Sequence, residues 1–381
     1  MKLPIRILTA LLCAAIILFM PFVLSSPQIL DNEKARLMQD DAEEDEAEDG
    51  DSEEIDFGRL LFPSAYAEGG EDSPETSEEV IVETYVEGEL HINPEWKLPL
   101  DFTVPPLPNP DKYTEDGYED QSIRVSVETW DINGITVHIA FVRIADASQL
   151  RTAVAGTAQN NKTVLFKALA RDTHALVAIN GDRYTSDAKK TTFEYRMTEK
   201  IRSKTNNLKD ILIIDDLGDF HLFIKSQGLH KDDQPYFVNV MKEQGRQVVN
   251  AFTFGPALVK DGELLTVDEH YGYNPHGREP RSAIGQTGPL SYVMVLVEGR
   301  TSGNDKAGIS QQGLAQIMYD LGCVQAYNLD GGNTSEMIFC GPADEYGKLT
   351  TRLYFEGDQV AGDRQQKDII YFATAVPESE W

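Results

Sequence analysis

Asp182, Glu298 and Asp330 each stand where an apolar run gives way to a small polar turn. Hydrolysis of a glycosidic bond needs two carboxylates: one protonates the departing oxygen, and the other attacks the sugar or activates water. Beside these three stand two amides, Asn180 and Asn328, suited to orienting a sugar or a carboxylate. Arg281 and Arg300 offer planar guanidinium forks that match a phosphate. Gly331 and Gly332 follow Asp330 directly, so the backbone there can approach a ligand closely or turn its N–H groups toward an anion. Asp330 and Asp182 are the first candidates for the acid and the nucleophile or base, in either order, with Glu298 in reserve. Clustered carboxylates also suit calcium or magnesium, which leaves a divalent cation open. No other cofactor is called for. The seven histidines are scattered, and no Cys/His spacing matches a structural zinc site. Each fragment alone also has an ordinary reading: Asn180-Gly181 as a turn, Arg281 as a strand-end arginine, and Asp330-Gly331-Gly332 as a tight hairpin.

The elements that must position these residues are mostly strands. Ile123–Val127 and Ile135–Ile144 are apolar or alternating, with Asn133-Gly134 as a turn between them. Thr163–Arg171 reads as a short helix leading into a buried strand at Ala175–Ile179. Hairpins are expected at Ile211–Ile214/Phe220–Ile224, at Ala257–Val259/Glu263–Leu265 and at Arg281–Gly285/Tyr292–Val297. One clear helix begins at a Ser310 cap. Leu314, Ile317, Met318 and Leu321 repeat at helical spacing, and Gly322 stops the helix. Strands follow at Val324–Leu329 and Asp368–Thr374. Many strands and few helices predict an α+β domain built on a central mixed or largely antiparallel sheet.

The chain has 381 residues, 41% of them hydrophobic, and a formal charge of −29. Such a surface repels phosphate-rich polymers at long range, which argues against a nucleic-acid partner. Much of the excess sits in Asp40–Asp56. Lys2 and Arg6 precede the uncharged run Ile7–Leu24, which reads as a signal peptide or signal-anchor. If uncleaved, residues 1–24 would hold the protein at a cell membrane with its body outside the cytoplasm; if cleaved, the protein would be secreted. Residues 25–120, acidic and then rich in proline, read as an extended, disordered tether. Residues 121–381 would be the folded domain. Cys13 lies in the apolar run, leaving Cys323 and Cys340 as either a disulfide pair or two buried thiols.

In combination and order, five pieces resemble the phosphodiester glycosidase family. They are Ala178-Ile179-Asn180-Gly181-Asp182, Phe254-Gly255-Pro256, Pro280-Arg281-Ser282-Ala283-Ile284-Gly285, Glu298-Gly299-Arg300, and the helix from Ser310 into Asn328-Leu329-Asp330-Gly331-Gly332. The run Arg364–Phe372 resembles the family's closing strand. The resemblance covers roughly residues 120–381. It implies release of a sugar from a sugar-1-phosphodiester; the residues themselves suggest that Arg281 and Arg300 would clamp the phosphate, and an envelope or extracellular glycan is the expected substrate. Two departures stand out: Arg183 where the family commonly has an aromatic residue, and Asn333-Thr334-Ser335 where it commonly has Gly-Ser-Ser. Two rival readings use the same residues. One is a non-catalytic module that binds anionic glycan; the other is a metal-dependent phosphodiesterase.

Overall fold

The computed structural model describes residues 90–160, 162–182, 193–203, 209–227, 234–299, 308–343, 349–355 and 365–381. Its largest element is an eight-stranded sheet. Ile123–Ile132 and Ile135–Ile144 form its long hairpin, turning at Asn133 and Gly134 with both residues at positive φ. That is what a two-residue hairpin turn with the sheet's own twist demands. Along the first strand Ile123, Val125 and Val127 are buried while Ser126 and Glu128 are exposed, the period-two pattern of a half-buried strand. Ser291–Val297 lies against the hairpin, then Arg281–Gly288, then Gln325–Asn328. The helix Gln311–Asp320 carries the chain from one flank of Arg281–Gly288 to the other. Ser310 caps this helix by accepting a bond from the Gly313 N–H.

Two five-stranded sheets, with a two-stranded pair of Val164–Leu165 and Gln365–Gln366, complete the architecture of the described residues. The central one pairs Val177–Asn180 with Glu336–Ala343 on one side and Asp368–Phe372 on the other. The third contains Phe193–Arg196, Ile211–Asp215 and Val248–Phe252. All pairings between described strands are antiparallel, and helices are few, as an α+β domain requires. The main core gathers apolar side chains from all three sheets, among them Ile179, Leu212, Ile284, Leu296, Leu329 and Ile370. Each such side chain contributes about 1.5–3 kcal/mol by leaving water. Helix Phe166–Asp172 covers the far face of the central sheet, and the anticipated helix at 163–171 begins after a short strand, Val164–Leu165. Cys323 and Cys340 are separate buried thiols, each pushed up to about 12 by burial. Among the described residues no helix is long and apolar enough to cross a membrane. The apolar run 7–24 and the acidic stretch 40–56 lie outside them.

The folded body extends well before the expected boundary at 121. Gly117–Glu119 is the first strand of the large sheet, and Tyr118 is in the core. The proline-rich strap ahead of it is also docked: Pro105 and Pro108 are buried, and its main-chain carbonyls meet polar side chains. The fully buried Arg151 collects carbonyls of this strap. Its guanidinium donates to Pro99 O (3.0 Å), Asp101 O (2.6 Å), Thr103 O (2.9 Å) and Ser148 O (3.0 Å). Farther along, His174 Nδ1 meets Pro105 O at 2.7 Å. A tether composition thus becomes a fastened strap because one guanidinium satisfies several carbonyls at once. Hydrogen bonds to a charged group are worth about 1.5–3 kcal/mol each and add imperfectly, so Arg151→Leu should cost about 3 kcal/mol and open residues 97–107 to protease. An unchanged denaturation midpoint together with unchanged cleavage after Lys97 would show that Arg151 does not hold the strap.

Candidate active site

The strand Val177–Asn180 ends on a buried amide with every hydrogen-bonding position in use. Asn180 Oδ1 accepts from Ser282 Oγ at 2.8 Å and from the Glu336 N–H at 3.1 Å. Its Nδ2 donates to Asp330 O at 2.7 Å and to Gly181 O at 3.0 Å. One side chain therefore joins the central sheet to the opening of strand Arg281–Gly288 and to the Asp330-Gly331-Gly332 turn. That turn stays alongside the same strand: the Leu329 N–H donates to Ser282 O and the Gly332 N–H to Pro280 O, both at 2.8 Å. Gly332 takes φ +61°, a left-handed geometry open to glycine at little cost. Asp330 stands half-buried in this turn.

Behind the junction lies a sealed charge cluster. Arg196 donates to Asp182 Oδ1 at 2.5 Å, to Asp368 Oδ2 at 2.6 Å and 2.8 Å, and approaches Glu194 at 3.9 Å. It also sits 4.1 Å over the Phe252 ring. The other Asp182 oxygen accepts the Thr253 N–H at 2.5 Å. A Cβ at position 181 would lie 2.4 Å from Asp368 Oδ1, so Gly181 is what lets that carboxylate in. Three carboxylates around one cation cannot all ionise cheaply away from water. Burial pushes the Asp182 carboxyl above its ordinary value; Arg196 opposes this, the Asp368 charge adds to it, and the Thr253 N–H opposes it. For Arg196, burial pulls the other way but is overcome by Asp368, Asp182 and Glu194, which hold it protonated.

The expected site residues separate into three groups. Asn180, Asp182, Asn328, Asp330, Gly331 and Gly332 come together around the junction. Asn328 belongs through its backbone neighbours and through Nδ2, which donates to Gly255 O at 2.7 Å. Asp182, expected among the reacting groups, has no accessible side-chain surface, and both its oxygens are engaged. Arg281, expected to clamp a phosphate, instead donates to the carbonyls of Ile309, Tyr273, Asn274 and Gly277 and so shapes its own approach loop. Glu298 bonds His138 at 2.7 Å and keeps 26% of its side chain accessible. Arg300 and Arg183 lie outside the described residues. Sequence reasoning gave no role to Arg196, Asp368, Glu194 or Thr253; the signals were the place of Asp368 inside the closing run 364–372 and of Thr253 directly before Phe254-Gly255-Pro256. Near the junction, Asn328 Oδ1 and the hydroxyls of Thr253 and Ser335 are buried with no hydrogen-bond partner among the described residues. Such atoms are uncommon in cores and cost about 1–3 kcal/mol each.

The model of the family described as phosphodiester glycosidase matches residues 173–372. A stretch of 87 residues is 33% identical to the SPbeta prophage-derived uncharacterized protein YomE of Bacillus subtilis. That stretch is 23% of this chain and only 13% of that relative's length. Among solved structures, the zebrafish N-acetylglucosamine-1-phosphodiester alpha-N-acetylglucosaminidase catalytic domain, auto-inhibited by its pro-peptide, aligns with TM-score 0.49 at 15% identity. The alignment covers 66% of this chain and 83% of that one. A hypothetical protein from Synechocystis aligns with TM-score 0.41 at 15% identity, covering 66% of this chain and 62% of that one.

The charge cluster makes two measurable statements. Arg196→Met strands buried carboxylates and should cost about 3–5 kcal/mol. Folding raises the Asp182 proton affinity above its ordinary 3.8, so the folded state binds that proton more tightly. The resulting stabilisation is complete below about pH 4 and is lost as pH rises through the raised value. Asp182→Asn keeps an acceptor for Thr253 and should flatten this decline. Unfolding free energies that fall equally with pH in variant and wild type would remove Asp182 as the proton holder.

Proposed function

Because the chain belongs to the phosphodiester glycosidase family, we propose that it is a hydrolase that releases a sugar from a sugar-1-phosphodiester of an envelope or extracellular glycan. The reaction breaks the bond between the anomeric carbon and the phosphate oxygen, and water supplies the new hydroxyl. Free sugar and a phosphate monoester result. The observation that carries this reading is the placement of the Asp-Gly-Gly turn, lashed between Asn180 and strand 281–288 with Asp330 half-buried in it. A reacting group needs that fixity.

Asp330 is the carboxylate we assign to the chemistry. Asp182, enclosed and held by Arg196, acts through the backbone it braces and does not touch the substrate. Support for an extracytoplasmic, membrane-tethered setting comes from the sequence alone, in residues 1–24 and the acidic stretch that follows.

The test is turnover of a chromogenic panel of hexose-1-phosphodiesters by the full chain, with and without chelator. Free sugar should appear in both conditions, and Asp330→Asn should lose at least about 100-fold in kcat, the lower range for a positioned acid or base, while its unfolding midpoint stays near wild type. Glycan bound but never cleaved would move the protein to the binding-module reading. Turnover abolished by chelator, with a phosphate product still carrying the sugar, would move it to the metal-dependent phosphodiesterase.

A further inference from the structure

Arg281 spends its guanidinium on main-chain carbonyls, while Arg196 and Arg246 are matched by carboxylates. Lys209 is different. It is half-buried, and among the described residues no carboxylate forms an ion pair with it. Its Nζ donates to the Tyr271 carbonyl and lies 4.2 Å from the centre of the Tyr271 ring and 4.8 Å from that of Tyr273. Both rings are fixed in turn. Tyr273 stacks on Phe254, with centroids 4.2 Å apart and planes at 15°. The Tyr271 hydroxyl accepts the Asp210 N–H at 3.0 Å and donates to the Phe254 carbonyl at 3.2 Å. Ring faces attract an ammonium without neutralising it. Two rings and one carbonyl therefore orient this cation and leave its charge available. An ammonium has three donors, and the described residues take one of them.

Lys209 lines a cavity of about 200 Å³ together with Lys225, Ser226, Pro256, Thr266 and Tyr271. Sites that enclose a whole drug-sized ligand run to roughly 300–1,000 Å³, so this one suits a small group or one end of a larger molecule. Two ammonium groups at one small cavity repel each other. Burial lowers the proton affinity of Lys209 most and Lys225 lowers it further, while Asp210 and Asp268 act in the opposite sense. Neither aspartate is spare. Asp210 is buried, and its two oxygens accept the main-chain N–H groups of Lys225 at 2.8 Å and Ala257 at 3.0 Å. Asp268 is exposed; its Oδ1 accepts the His270 N–H at 2.8 Å and lies 3.8 Å from His270 Nδ1. An oriented, half-buried cation in a cavity, with a second cation beside it, is what an anion site requires. Pro256 joins the cavity wall to the Asn180 junction. Its carbonyl accepts the Asn328 N–H at 3.0 Å, and the Gly255 carbonyl accepts Asn328 Nδ2 at 2.7 Å.

We infer that this cavity binds a phosphate group, with Lys209 as its fixed ammonium, Lys225 as the second cation, and the Ser226 and Thr266 hydroxyls as further donors. A tetrahedral anion accepts hydrogen bonds on several oxygens at once, and charge-assisted bonds to ammonium groups are the strong ones. Its negative charge relieves the repulsion between the two lysines. Lys209 and Lys225 stand in none of the fragments that the sequence singles out, because neither residue type nor spacing shows that they share a cavity. The inference goes beyond the glycosidase reading and does not depend on it. The bound group is either the phosphate of the substrate or free phosphate, and the two are chemically alike at this site.

The experiment is calorimetric titration of the full chain with inorganic phosphate at constant ionic strength. The wild type should bind it at one saturable site. Lys209→Met should weaken binding at least about 10-fold, as loss of a charged hydrogen-bond donor implies. Lys225→Met should weaken it by a smaller factor, and Lys209→Arg, which keeps the charge, should retain most of the affinity. Lys242→Met removes the same charge from an exposed helix position outside the cavity and should bind like the wild type. Unfolding midpoints are read beside each titration; should Lys209→Met fail to fold, the exposed Lys225 carries the comparison. Inhibition of turnover by phosphate distinguishes the sources: a competitive pattern places the substrate's own phosphate here, and a noncompetitive one places free phosphate. Equal affinity in wild type, Lys209→Met and Lys225→Met, an equal loss in Lys242→Met, or no saturable binding by the wild type in the millimolar range would each overturn the inference. Because phosphate binding is read without turnover, those outcomes leave the glycosidase reading intact, and failure of every phosphodiester in the panel leaves this site intact.

Discussion

The side-chain amide of Asn180 is the constraint on which the rest of the site depends. A primary amide offers two donors and an acceptor oxygen with two lone pairs, and this one uses them all on four different residues. The net worth of such bonds is modest, about 0.5–1.5 kcal/mol each. Their consequence is positional. The last residue of a central-sheet strand fixes the first turn of Arg281–Gly288, the start of Glu336–Ala343 and the carbonyl of Asp330. The register of one sheet is thereby transmitted to the other at this edge, and the Asp330 turn inherits its place from that register.

Behind the amide, Arg196 and its carboxylates solve a different problem. A buried ion pair gains little over well-packed apolar side chains, but losing one member is costly because the other is left unpaired. The cluster therefore contributes specificity more than stability. It forces Asp182, Asp368 and the Thr253 N–H to converge, which aligns the third sheet with the central one. Gly181 belongs to the same device, since any side chain there would displace the Asp368 carboxylate.

Local patterns were legible in the sequence because their causes are local. Asn133-Gly134 dictates a hairpin through its left-handed φ values, and the Ser310 cap with the spacing of Leu314, Ile317 and Met318 dictates a helix. The grouping of Asn180, Asn328 and Asp330 was legible only through motif order. Arg196 was not legible at all: its partners lie 14 and 172 residues away, and nothing in Phe193-Glu194-Tyr195-Arg196 distinguishes a buried cation from an exposed one. The strap at 97–107 was misread for a related reason. Composition measures apolar surface, whereas this segment is held by carbonyls meeting a guanidinium some 50 residues later in the chain. Arg281 shows the same limit, since its residue type suits phosphate and main-chain carbonyls equally well.

Arg151, Arg196 and Arg281 share one logic. All three are buried, with at most 3% of their surface accessible, and each donates to several oxygens from separate segments. A guanidinium has five N–H groups in a rigid fork, so a single residue can gather carbonyls or carboxylates that no apolar contact would bring together. Arg151 fastens the strap, Arg196 the carboxylate cluster, and Arg281 the loop 273–277 with Ile309. Desolvating each cation is offset only when nearly all its donors are met, which requires every segment it binds to be in place together. Three guanidinium groups thus assemble, inside the molecule, the framework against which the Asp330 turn is held.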